Sequence, residues 1–384
     1  MPVLTYTPSS IRLDPDCPMR REVPDVAQLD VLSGPGNDPS AAGYDHTTVI
    51  YDVLLTARNA RVLLIGPPLL NLADVLWPAT FTLVLRGGRQ VELKPRREDR
   101  SHYFIAHMRV PRRHRSDVTD NSILRVRFAD GSTYDVRPNP VDETPVALSL
   151  STQQRDESTV WLRQWAAYWH SLGADRVIIY DNGSSYFSEL PQLLADVAQD
   201  LSIVVVRWHF EFGPPRGFAY HYAQWASLNH ARLAFPGARW GAAFDVDEYP
   251  VLRKDGGLIA FLDRQSRATG LVLLKLFDVK NIRWTPASDG EPPSAADFVY
   301  RSREAKKTFK YFYRTKWTRD STVHSAGVRP LRQVVADPAE AAYLHYWALN
   351  RGWRHPERLE SVVFDPAEHV EDRAVADRLR SLDI

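Results

Sequence analysis

Between His46 and Pro138 apolar and polar residues alternate in short runs, over 47–55, 61–65, 80–85, 90–94, 103–110, 124–128 and 133–136. A period of two sends one side of an extended chain inward and the other toward water, so each run predicts a strand. Turn residues such as Arg86-Gly87-Gly88 and Ala129-Asp130-Gly131-Ser132 punctuate the series as hairpin turns do. Short strands in this number without a helical period predict a sandwich-like all-β domain over residues 46–140. Residues 1–45, rich in Pro, Asp, Gly and Ser, read as an irregular arm.

Three prolines within residues 137–145 mark a linker, because proline resists both helix and sheet. From Val146 the pattern changes to strands alternating with helices, the sign of an α/β sheet flanked by helices. A strand over 146–150 precedes a helix over 158–172, where Trp161, Leu162, Trp165 and Trp169 recur at helical spacing and Gly173 ends the element. A strand over 176–180 runs into Asp181-Asn182-Gly183-Ser184-Ser185. A helix over 189–197, a strand over 203–208 and a helix from about 219 to 233 follow. Residues 351–384 read as a helical extension. In such sheets ligands sit beyond the carboxyl ends of the strands, which directs attention to the loops at Asp181 and Asp245.

The run Trp240-Gly241-Ala242-Ala243-Phe244-Asp245-Val246-Asp247-Glu248-Tyr249 carries the most chemistry, since a small apolar strand ends in three carboxylates. Alternation puts Asp245 and Asp247 on one side and turns Val246 back to the core. Two close like charges need a partner. A divalent cation such as manganese or magnesium suits them, completing its shell with substrate phosphates. A solvated acidic turn is the alternative. Farther on, residues 306–317 mix cations with aromatics. Alternation sets Lys310, Phe312 and Arg314 on one face and Tyr311 and Tyr313 on the other, a cationic edge suited to phosphate.

Composition narrows the classes. With 44% hydrophobic residues in 384 the chain can bury a full core, and roughly 150 residues per domain gives two domains. Lys plus Arg number 48 against 47 Asp plus Glu, so a net charge of +1 gives no basis for general nucleic-acid binding. Cys17 is the only cysteine, which excludes an internal disulfide and cysteine-cluster metal sites. No apolar run is long enough for a transmembrane segment and the N-terminus lacks a signal-peptide pattern, so the expected location is cytoplasmic.

Taken in order, the Trp-rich helix, Tyr180-Asp181-Asn182-Gly183-Ser184 and Phe244-Asp245-Val246-Asp247-Glu248-Tyr249 resemble glycosyltransferase family 92 and related bacterial proteins. Lys310-Tyr311-Phe312-Tyr313-Arg314 is similar to the family's Lys-x-apolar-x-Arg strand. His324 follows fourteen positions after Lys310, where the family carries a histidine, and Leu344-His345-Tyr346 resembles its His-Tyr pair. The likeness spans approximately residues 146–350. Two places depart from it: Arg155-Asp156-Glu157 stands where Asn-Glu is usual after the first strand, and Trp169-His170 where the helix usually carries His.

The resemblance implies a GT-A-like fold and a transferase that moves a hexose from a nucleotide diphosphate sugar, UDP-linked, to a glycan or other hydroxyl acceptor with inversion. It implies manganese or magnesium held by Asp245, Asp247 and His324, with Asp181, Asn182, Asp245, Lys310 and Arg314 toward the donor. Asp181 could equally open an Asx turn. His345 could equally belong to a packed helix over 344–349. Glu248 either orients the loop or reaches the acceptor. Asp278, after an apolar strand, is a candidate base beside the alternative of a turn or cap, and Glu211 is a weaker one. Two rivals stand: a glycan-binding protein without turnover, and a metal-dependent nucleotidyltransferase or phosphohydrolase.

Overall fold

Alternation and helical period build two compact units, the first from residues 1–6, 144–207 and 237–384, the second from 7–143 and 208–236. The computed structural model describes residues 2–14, 17, 19–22, 45–56, 58–211, 221–254, 256–282, 293–328, 330–349 and 362–382.

In the second unit, strands Thr133–Val136, Ile123–Arg127, Thr80–Val84 and Gln90–Leu93 form one sheet in that order. A five-stranded sheet runs Asn139–Pro140, Asp52–Thr56, Arg61–Gly66, Phe104–Arg109 and Arg96–Asp99. Their inward residues, among them Val53, Val62, Leu64, Phe81, Leu83, Ala106, Leu124 and Val126, make one core, as the facing layers of a sandwich must. Strand Arg96–Asp99 has four charged residues and therefore no apolar period to announce it. It exists by pairing with Phe104–Arg109 at the sheet's edge, where charged side chains are tolerated. Helix Tyr222–Ala234 also belongs to this unit.

The first unit is α/β. Strands Leu4–Tyr6, Ser202–Arg207, Arg176–Asp181, Val146–Gln154 and Ala238–Ala243 lie side by side and parallel, and Lys306–Arg314 joins antiparallel to Ala238–Ala243. Thr269–Val279 continues the sheet, followed by Ala341–Tyr346, which pairs in turn with Glu248–Leu252. Helix Thr159–Ser171 buries Trp161, Trp165 and Trp169 in the main core, and Gly173 ends it at φ +95°, a conformation that glycine adopts without a Cβ penalty. Phe312 enters this core while Tyr311 and Tyr313 join a cluster with Leu271 and Leu273, so alternation along Lys306–Arg314 holds. Gly241 pairs with Tyr313, and a Cβ there would come within 2.4 Å of two carbons at the edge of the Tyr313 ring.

Some elements differ from expectation. Residues 344–349 do not form one packed helix: Ala341–Tyr346 is a strand and only the single turn Trp347–Leu349 is helical, of the 3-10 type, since a short apolar run has no period that separates strand from helix. The helix expected over 189–197 shrinks to Leu190–Leu193 between short turns. In the C-terminal extension, 350–361 lies outside the described residues; strand His369–Glu371 and helix Ala374–Ser381 occupy the rest.

Candidate active site

Strand register gathers the site. Glu248 begins its strand opposite His345, and His345 in turn stands opposite Asp278 on the next strand. From the other side, Trp240 pairs with Arg314 and Ala242 with Phe312, a register that carries Lys310 toward Asp245. Lys310 is 2% exposed and its Nζ lies 2.8 Å from both Asp245 Oδ2 and Glu248 Oε2. Glu248 Oε2 also accepts from the Asp245 backbone N–H at 2.9 Å, closing the loop on itself. One buried ammonium thus ties the first and last carboxylates of the run.

Asp247 is bound differently. Its Oδ2 lies 3.2 Å from His345 Nε2, and its carbonyl accepts from the Tyr346 N–H at 2.8 Å. Burial alone would lower the His345 pKa, but Asp247, then Glu248 and Asp278, outweigh it and hold the imidazole above its ordinary value. Partial burial pushes Asp245 up, yet Lys310, then His345 and His324, bring it below the usual carboxylate range. Glu248 goes the other way, to about 7, because burial and the charges of Asp245 and Asp247 exceed the help of Lys310.

Glu157 joins this field. Burial and the charges of Asp247, Asp245 and Asp156 raise it to about 8. It follows Asp156, whose φ of +51° and bond from the Ser185 N–H set a sharp turn after strand Val146–Gln154. In the sequence Glu157 stands within Arg155-Asp156-Glu157, where the family usually carries Asn-Glu, and a glutamate at that place is the one local signal that points to it.

The remaining sequence candidates divide. His324 Nδ1 lies 3.1 Å from the Phe309 carbonyl, which can only accept, so Nδ1 carries the proton and Nε2 the lone pair. Desolvation of its ring, then the Lys310 charge, hold it below its ordinary value. Arg314 is not brought to the carboxylates. Its Nε donates to the Thr269 carbonyl at 2.9 Å and its guanidinium lies 4.3 Å from the Trp240 ring centre. Asp181 is wholly buried, and its Oδ1 accepts from the Gly183 and Ser184 N–H groups at 3.0 Å each, the Asx turn that was the alternative. Asn182, also buried, donates its N–H to the Gln154 carbonyl. Asp278 Oδ1 accepts from Trp347 Nε1 at 2.7 Å, and Oδ2 is bound by Lys306. Both oxygens are engaged, which suits a positioning group better than a base.

The donor set tests the expected cation. Carboxylate oxygen and imidazole nitrogen are acceptable to manganese, and a cation that keeps positions for phosphate needs few protein ligands. Among the described residues no three such side chains already enclose a cation site. Asp247 with His345, with Asp245 and His324 nearby in charge, fits a partial shell of that kind.

The profile of glycosyltransferase family 92 matches residues 144–376. No curated protein matches the chain. Among solved structures, Staphylococcus aureus TarS 1–349 in complex with UDP is 15% identical, with 52% of this chain and 60% of that one covered and a TM-score of 0.29. The bifunctional glycosyltransferase WbbM is 14% identical, covering 46% and 33%, with a TM-score of 0.27. Glucosyl-3-phosphoglycerate synthase from Mycobacterium tuberculosis, in complex with manganese, UDP-glucose and phosphoglyceric acid, is 14% identical, covering 45% and 58%, with a TM-score of 0.24. The chain therefore spans a third of WbbM and about three fifths of the TarS chain. Among the described residues no helix is long and apolar enough to cross a membrane.

Proposed function

Because the chain belongs to glycosyltransferase family 92, we propose that it is a metal-dependent enzyme moving a hexose from a UDP-sugar to a hydroxyl acceptor with inversion. The observation that carries this reading is the convergence of Asp245, Asp247 and Glu248 with Lys310 and His345 at the carboxyl end of the sheet. Asp247 would hold manganese with His345 or His324, and Asp245 would assist. When bound, the cation supplies positive charge against the leaving diphosphate.

The chain's own residues do the rest. Lys310, buried and fixed by two carboxylates, is a positive charge placed in advance beside the donor diphosphate, and charge that needs no reorganisation is the most effective kind. Glu157, rather than the candidate Asp278, serves as the base in this reading. A carboxyl that ionises near neutral pH can accept the acceptor's hydroxyl proton on Oε, whereas Asp278 is occupied by Trp347 and Lys306. Asp278 and Glu248 position His345 and the loop.

Calorimetry of UDP-sugar binding with and without manganese tests the assignment. Asp247→Ala should fold and lose manganese-dependent binding. Unchanged affinity and metal dependence would remove Asp247 from the site. Glu157→Gln should bind donor normally while slowing transfer by about 100-fold or more.

A further inference from the structure

Residues 46–140 hold 15 Lys and Arg against 9 Asp and Glu, a net charge of +6 in a chain whose total is +1. The excess is concentrated. Register in the five-stranded sheet sets Arg61 opposite Arg109 and Arg96 opposite His107. Since His107 and Arg109 are two apart on one strand, all four share a face. The turn Arg112–Asp117 follows directly, with Arg112, Arg113 and Arg115 exposed. Arg232, from helix Tyr222–Ala234, reaches the same region. The His107 imidazole is held below its ordinary value first by burial and then by Arg232, Arg61 and Arg96, with Glu98 opposing them.

Nearby carboxylates do not neutralise this face. Glu98 lies 3.7 Å from Arg100 and 4.0 Å from His107, and Asp99 lies 3.7 Å from Arg97. Among the described residues, no ion pair involves Arg61, Arg96, Arg109 or Arg112. Like charges gathered without counterions cost stability, and their field attracts anions. The planar fork of arginine matches carboxylate, sulfate and phosphate with two parallel bonds. Two helical turns before Arg232, half-buried Trp225 stacks on His102 with ring centres 4.2 Å apart, placing aromatic surface on the same side of that helix. The exposed large apolar residues described in this unit, Met19 and Ile123, lie outside these strands and this turn, so nothing here would insert into a bilayer.

We propose that Arg61, Arg96, Arg109 and Arg112 form a binding face for an acidic polysaccharide. The saccharide part rests on the transferase reading; the acidic part rests on the arginines. The test is fluorescence anisotropy of the full chain with labelled alginate, beside neutral dextran and vesicles of phosphatidylglycerol, all without donor or metal. Alginate should bind, dextran should not, and added salt should weaken the complex. Arg109→Glu should weaken it about tenfold, while Arg127→Glu, the same charge change on the other sheet, should leave it unaltered. Equal loss in both variants, no alginate binding, or preference for the vesicles over alginate would overturn the proposal. Because donor is absent throughout, failure here leaves the transferase reading intact, and failed donor turnover leaves this result intact.

Discussion

Each unit sets a buried basic side chain against an aspartate, His230 against Asp52 in one and Lys310 against Asp245 in the other, but to different effect. In the second unit Asp52 Oδ1 accepts from Ser9 N, Val53 N and Asn139 Nδ2 at 2.7, 2.8 and 3.0 Å, and Oδ2 meets His230 Nε2 at 2.7 Å. Aspartate and histidine side chains are both 0% exposed. These four partners among the described residues engage both oxygens of the carboxylate, and the pair ties helix Tyr222–Ala234 to the sheet. At the strand end of the first unit, by contrast, three carboxylates and Glu157 outnumber the buried ammonium. Asp245 keeps 46% of its side chain exposed. A satisfied buried charge holds a fold together; an undersatisfied one prepares chemistry.

Removing the charge from each pair tests that contrast. Asp52→Ala leaves the buried His230 and Val53 N–H, and the half-buried Ser9 and Asn139 donors, without their acceptor, and should cost about 3–5 kcal/mol in urea unfolding. Lys310→Met should cost less, about 1–3 kcal/mol, because Asp245 reaches water and Glu248 can take a proton, while donor turnover is lost. A larger loss for Lys310→Met than for Asp52→Ala would reverse the assignment of structural and chemical roles.

Acidity offers a finer probe. Glu248 and Glu157 are raised from 4.5 to about 7 and about 8, so the folded chain keeps protons there that the unfolded chain has released. Stability from this source is fully present below about pH 4.5 and is lost as pH rises through about 7 and about 8. Urea midpoints of metal-free protein should fall across that window, and Glu157→Gln should flatten the fall. An identical slope in the variant would show that Glu157 does not titrate there. The smallest effect belongs to Arg314→Lys, which should leave donor binding unchanged because that side chain packs on Trp240; impaired binding by calorimetry would return Arg314 to the site.

What was legible followed local period. The sandwich strands, the Trp161–Trp165–Trp169 face and the carboxylate run all announce themselves within a dozen residues. His345 beside Asp247, and Asp278 beside His345, depend on register between strands distant in sequence, which no local pattern encodes. Arg314 shared a face with Lys310 as alternation required, yet an antiparallel strand carries residues four apart to opposite ends of its neighbour. Chain order placed helix Tyr222–Ala234 between two strands of the α/β unit, whereas its His230 and Trp208 beside it pack with Asp52 and Tyr51.

Tyr313 lies across Gly241, in the space where any other residue would carry its first side-chain atom. In lineages descended from a common ancestor, these two positions should therefore be inherited as a couple: an alanine or serine at 241 becomes admissible only after the tyrosine has given way to something slimmer, and a chain that made the first change alone would be purged.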